Sequence, residues 1–225
     1  MLIRPFLLTF ASMKRQESSE YIHFLIAQGE HQQQDFKFEI SDARKIAKTL
    51  SAFANTDGGR LLIGVKDNGK IAGVACEEEQ YMIQAAAEQY CKPGVTYSMQ
   101  TYFVNGKNVL LVEIAPNEKK PVYAQDDNGK FWAYVRVADE NILASPVHLQ
   151  MWRQTESIAG ELVAFTEREQ HLLQLLQQYD TLSLNACCRK IDLPRKAVEQ
   201  LLAKLIRYEI VEPAFDGQKF HFRLK

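Results

Sequence analysis

The chain has 225 residues, with 28 acidic side chains against 27 basic ones. That length supports one large domain or two smaller ones and buries roughly 70–75% of the unfolded surface, so a core forms without disulfides or a structural metal. Nearly balanced charge excludes a wholesale polyanion binder and leaves any nucleic-acid surface to a local patch. The four cysteines, at 76, 91, 187 and 188, make no Cys-x-x-Cys pair and have no ordered histidine spacing, which predicts reduced, buried thiols in a cytoplasmic protein.

Residues 1–17 read as an N-terminal extension. The apolar stretch Phe6 to Phe10 is too short for a signal peptide and is broken by Arg4-Pro5, so Met13 is the expected start and residues 1–12 an upstream addition. No other run approaches the ~18–20 apolar residues of a membrane span, and no membrane partner is expected. Over 19–29, Tyr21, Ile22, Leu25 and Ile26 at helical spacing, with Ser18 or Ser19 as cap and Gly29 as stop, predict a short amphipathic helix. Next, Phe36, Phe38 and Ile40 alternate with Asp35, Lys37 and Glu39, the period of a half-buried strand. Residues 42–54, after Ser41 as cap, place Ile46, Leu50, Phe53 and Ala54 on one stripe of a packed helix that ends at Asn55.

Gly58-Gly59 lets the chain reverse, and "RLLIGV" reads as a strand covered on both faces. Asp67-Asn68-Gly69 then makes a tight hairpin turn into a returning strand, "KIAGV". A helix over 77–91, stopped by Lys92-Pro93-Gly94, precedes three strands, "TYSMQTYFVNG", "KNVLLVEIAP" and "FWAYVRVA". About six strands with interspersed helices predict a mixed α/β (α+β) domain over residues 18–150.

A linker helix is expected over 151–165. From 166 to 225 the texture changes: Thr166-x-x-Glu169 is a capping box, Ser183 opens a second helix, Pro194 suits the first position of a third, and two strands flank Asp216-Gly217. Three helices followed by a small hairpin predict a winged helix-turn-helix.

The chain lacks a Gly-x-x-x-x-Gly-Lys-[Ser/Thr] loop, a His-Glu-x-x-His, a Gly-x-Ser-x-Gly and any cysteine pair with zinc spacing, so ordinary nucleotide-binding and hydrolase signatures fail. What remains is a carboxylate set: Glu30 before the first strand, Asp35 at its start and Asp67 in the hairpin. Lys37 projects from the same strand face as Asp35. Were these acids to converge, their hard oxygens would suit Mg²⁺ or Mn²⁺ in phosphodiester cleavage, the only setting in which a cofactor is expected. Backbone geometry accounts for Gly58 and Gly59, with an anion nest as the alternative, and for Asn55 as a helix terminator. Arg136 points opposite to Val135 and Val137, as a solvated or carboxylate-paired side chain or as a phosphate clamp.

"GEHQQQDFKFE", "IAKTLSAFANTDGGRLLIGVKDNGKIAGV", "PVYAQ" and "FWAYVRVADEN" together resemble the AlbA-like DNA-binding domain of the Schlafen family, across roughly residues 20–145. In bacteria that domain is often paired with a C-terminal helix-turn-helix. The resemblance implies nucleic-acid binding, with a metal-dependent endoribonuclease as the alternative, because ribonuclease members carry a Glu, a second Glu five residues on and an Asp in the following hairpin. Glu30 and Asp67 stand at two of those places, and Asp35 replaces the second Glu with a shorter arm. Fused double lobes in eukaryotic Schlafens imply a homodimer for a single-lobe chain. A non-catalytic protein-interaction module is a further alternative.

In the C-terminal region Val198, Leu201, Leu202 and Leu205 are expected in the core, with Arg195, Lys196, Gln200, Lys204 and Arg207 outside. The reading is a DNA-binding transcriptional regulator, with DNA or RNA as partner. Lys190, Lys196 and Arg223 would position phosphates, and Arg195 and Gln200 would sample bases.

Overall fold

The structure, a computed structural model, describes residues 18–153 and 165–225. The extension expected at 1–17 and most of the expected linker helix lie outside the described residues. The chain divides into two compact units, one ending at Leu143 and the other starting at Ala144.

In the first unit a helix over 18–27 (α1) is followed by β1 (Gln34–Lys37), α2 (Ala43–Asn55), β2 (Gly59–Ile63) and α3 (Cys76–Glu88). Six further strands complete it: β3 (Cys91–Lys92), β4 (Tyr97–Val104), β5 (Lys107–Ile114), β6 (Tyr123–Gln125), β7 (Phe131–Val137) and β8 (Glu140–Leu143). One sheet runs β1-β2-β5-β4, with β1 and β2 parallel and the other pairs antiparallel. The other runs β3-β6-β7-β8. β2 is covered on both faces: Leu61 and Ile63 enter one core with α2 and α3, while Leu62 enters another with Ile22 and Leu25 of α1. α2 packs against both sheets, which explains why its C-terminal half, from Thr49 to Asn55, is buried all round and is built of small or apolar side chains.

Eight strands form where about six were expected, the additions being the short β3, β6 and β8. Conversely, the expected strand "KIAGV" is reduced to a single Val65–Ile71 bridge. The Gly64 carbonyl there accepts the N–H groups of both Ala72 and Gly73, which ends the ladder. β1 also stops sooner than its alternation suggests. The Lys37 carbonyl is taken by the Gly64 and Val65 N–H groups, so Phe38 leaves the sheet and lies 47% exposed. Asp42 replaces Ser41 as the cap of α2, accepting from the Arg44 N–H at 2.8 Å.

The second unit holds α4 (Pro146–Arg153), α5 (Glu167–Gln178), β9 (Leu182–Ser183), α6 (Leu184–Ile191), α7 (Arg195–Arg207), β10 (Val211–Phe215) and β11 (Phe220–Leu224). From α5 onward this is the order of a winged helix, closed by a three-stranded sheet β10-β11-β9. Leu172, Leu176, Cys187, Val198, Leu202, Leu205 and Phe222 form its core, joined by Val147 from α4. Pro194 has an extended ψ of 140° and serves as the cap of α7, so the helix begins one residue later than expected. All four cysteines are free thiols.

Candidate functional site

The loop into β1 is held by three consecutive glutamines, each fastened to a different element. Gln32 donates to the Arg136 carbonyl (2.6 Å) and accepts from the Ala138 N–H (2.8 Å). Gln33 donates to the Asp57 carbonyl (2.9 Å), and Gln34 donates to the Leu25 and Gly29 carbonyls (2.7 Å each). These contacts fix the backbone between Glu30 and Asp35 and bring both carboxylates together.

Asp35 is buried, and a buried carboxylate needs compensating charge. Arg136, also buried, reaches its Oδ1 at 3.1 Å, and Lys37 Nζ lies 2.6 Å from its Oδ2. The Arg136 guanidinium also donates to Asn141 Oδ1 (3.0 Å) and the Gln34 carbonyl (3.3 Å) and lies 5.0 Å over the Phe53 ring. Arg136 is thus a core cation locked to Asp35, and neither a solvated side chain nor a phosphate clamp.

Glu30 accepts from the Phe36 N–H at 2.9 Å. Burial raises its pKa, the Asp35 carboxyl adds to the rise, and the Phe36 N–H and the Lys37 charge oppose it. A carboxyl raised by folding stabilises the fold below its ordinary pKa of 4.5, and that contribution is lost as pH rises through the folded value. Glu30→Gln keeps an acceptor for Phe36. It is therefore expected to make the first unit more stable than the parent at pH 7 and to lose that advantage below pH 4.5. Urea unfolding at both pH values reads this directly. Next to the pair, His31 has its pKa lowered by burial and by the charges of Arg60 and Arg136.

The expected metal triad does not assemble. Asp67 sits exposed in the hairpin turn, both Asp35 oxygens face cations, and among the described residues no three His, Cys, Asp or Glu side chains are grouped to hold a metal ion. The donor set therefore does not fit Mg²⁺ or Mn²⁺ in the expected arrangement.

Asn55 and the glycines serve the fold. Asn55 Nδ2 donates to the Val122 carbonyl (2.8 Å) and the Tyr134 carbonyl (2.9 Å), and its Oδ1 accepts the Val122 N–H (2.7 Å), tying α2 to the segment entering β6 and to β7. The Gly58 N–H donates to the Phe53 carbonyl, so it is not turned outward as an anion nest requires. A Cβ on Gly59 would lie 2.4 Å from the Phe53 ring.

In the second unit the expected outer face of α7 divides. Lys196 and Gln200 are exposed. Arg195, also exposed, is oriented by Asn185 Oδ1 (2.7 Å) and Glu199 Oε1 (3.0 Å). Lys204 does not stand free: its Nζ lies 2.6 Å from Glu169 Oε1, whose other oxygen accepts the Thr166 N–H (2.6 Å). Burial would raise the Glu169 pKa, yet Lys204 and Thr166 hold it below its ordinary value. Lys190 rests 3.7 Å over the Tyr179 ring, and Arg223 pairs with Glu212 at 2.6 Å. Both keep exposed positions.

Among the described residues no helix is long and apolar enough to cross a membrane. A PCI domain profile matches residues 165–214, and the profile described as Schlafen, AlbA_2 matches residues 30–145. No curated protein matches the chain. Among solved structures it is similar to the DIP2311 protein of Corynebacterium diphtheriae, at 18% identity and a TM-score of 0.45, over 84% of this chain and 34% of that one. It thus spans about a third of that protein's length. It is also similar to the N-terminal domain of an ATP-dependent DNA helicase RecG-related protein from Nitrosomonas europaea, at 21% identity and a TM-score of 0.40, over 66% of this chain and 98% of that one. With the matched residues 30–145 taking in more than half of its length, the chain belongs to the Schlafen, AlbA_2 family.

Proposed function

We propose that the chain is a cytoplasmic nucleic-acid-binding protein, and specifically a DNA-binding transcriptional regulator whose winged helix reads the duplex. The observation that carries this is the N-terminal half of α7. Lys196 and Gln200 lie exposed one turn apart, beside an Arg195 guanidinium fixed by Asn185 and Glu199. Cations at a helix start reach phosphates, and a glutamine one turn on reaches base edges in a major groove. Lys190 and Arg223 are exposed on neighbouring elements and extend the phosphate contact. Two copies in a homodimer would present two such helices to paired half-sites.

The test is fluorescence anisotropy of labelled duplex DNA across a salt series. Exchanging Arg195 and Lys196 for alanine is expected to weaken binding and to lower the slope of log affinity against log salt by about one for each phosphate contact removed. Unchanged affinity and slope remove α7 as the reader. Sedimentation at micromolar concentration tests the dimer, and a monomer there counts against it.

A second reading, metal-dependent RNA cleavage, is favoured by the raised Glu30 carboxyl beside Asp35 and Lys37. The donor set does not fit the metal in the expected arrangement, so this reading stands second.

A further inference from the structure

The second unit contains a cavity of about 280 Å³ that the DNA reading does not use. Its apolar wall is made by Pro146, Leu184, Phe220 and Phe222, and its charged lining residues are Arg195 and Lys219, with no carboxylate among the residues that line it. The start of α4, the end of β9, the first turn of α6, the start of α7, the turn joining β10 to β11 and β11 itself meet there. Leu184 and Phe222 belong to the unit's core, so this wall is part of the packed fold. Phe220 is backed by His148, whose ring meets it edge-on at 4.7 Å and whose Nδ1 lies 2.7 Å from the Ser145 hydroxyl. The guanidinium of Arg195 is likewise held in place by Asn185 and Glu199.

An apolar recess with two cations selects for a molecule of matching halves. Phosphate or sulfate would satisfy the cations but leave the apolar surfaces of Pro146 and Phe220 facing water. A neutral hydrocarbon would fill the recess but make no polar contact with Lys219 or with the Arg195 guanidinium that Glu199 holds at 3.0 Å. The first turn of α6, through Leu184 and Asn185, also lines the cavity, and Asn185 holds the Arg195 guanidinium there at 2.7 Å. We infer that this cavity binds a small amphipathic carboxylate, an aryl or branched-alkyl acid, with its apolar body against Pro146 and Phe220 and its carboxylate between Arg195 and Lys219. The assignment does not rest on the nucleic-acid reading, although the two share Arg195. Because Arg195 serves both, an occupied cavity would compete with a bound strand.

Ligand-detected NMR and isothermal titration of the full chain test this with phenylacetate, its neutral analogue phenylacetamide and inorganic phosphate. Phenylacetate is expected to bind at least about tenfold more tightly than phenylacetamide, a difference of one decade in dissociation constant. The exposed variant Lys219→Glu, and separately Arg195→Gln, is expected to remove most of that preference while the circular dichroism spectrum and unfolding midpoint stay at parental values. Equal affinity for acid and amide, a preference that survives both variants, or binding of phosphate alone would each overturn the assignment.

Discussion

Asn55→Ala is expected to destabilise the first unit by about 2–4 kcal/mol, with a fall in its unfolding midpoint on the order of 10 °C. The reason lies in which groups lose partners. The Val122 N–H, buried at the entry to β6, has Asn55 Oδ1 as its acceptor at 2.7 Å, and the Tyr134 carbonyl loses a donor at 2.9 Å. The Val122 carbonyl keeps the Ser51 hydroxyl at 2.8 Å, which limits the damage. A buried amide left without an acceptor is more costly than the bond itself was worth. Asn55→Gly separates this account from a helix-terminating role. Asn55 is the last helical residue of α2, where a glycine costs about 0.5–1 kcal/mol in backbone entropy, so if termination were all that Asn55 did, the variant would lose no more than that. Here it is expected to fall as far as the alanine variant. Urea titration followed by circular dichroism gives both values.

The second large effect concerns the Asp35–Arg136 pair. Asp35→Ala leaves the Arg136 guanidinium buried beside Phe53 with, among the described residues, only Asn141 Oδ1 and the Gln34 carbonyl to accept from it and no partner for its Nε. Removal of one member of a buried pair is expected to cost about 3–5 kcal/mol. The double change Asp35→Leu with Arg136→Met removes both charges at once. It is expected to recover at least half of that loss, because the desolvation penalty disappears with the pair. A double variant less stable than Asp35→Ala would show that the pair contributes more than mutual neutralisation. One practical consequence follows for any cleavage assay: lost activity in Asp35→Ala would be confounded by unfolding, whereas Glu30→Gln retains the acceptor for Phe36.

Much of the architecture was legible because it rests on local rules. Gly29, Asn105-Gly106 and Asp216-Gly217 mark turns whose backbone needs positive φ, and each lies where the sequence places it. The capping position at Thr166 and Glu169 and the cap at Ser183 were likewise readable from spacing alone. What was not legible depends on partners distant in sequence. Arg136 reads as an outward strand residue because alternation separates it from Val135 and Val137. Nothing local shows that Asp35, 101 positions away, will meet it inside the fold. Gln32 and Gln34 give no signal in the sequence, because a glutamine that fastens two elements has the same composition as one in solvent. Asp67 fits the family pattern by sequence position, while the structure leaves it exposed in the turn and outside any metal-holding group of acids among the described residues. On α7, spacing identified Lys196 and Gln200 as exposed but could not show that Lys204 is claimed by Glu169.

The most direct test of the central claim is a gel assay of purified full-length chain with labelled duplex DNA, single-stranded RNA and structured RNA, in Mn²⁺ or in EDTA, beside Glu30→Gln. The account predicts retarded duplex DNA, intact nucleic acid in every lane, and no difference between the parent and Glu30→Gln. Metal-dependent cleavage of RNA that Glu30→Gln abolishes would contradict it and make the Glu30–Asp35 cluster an active site.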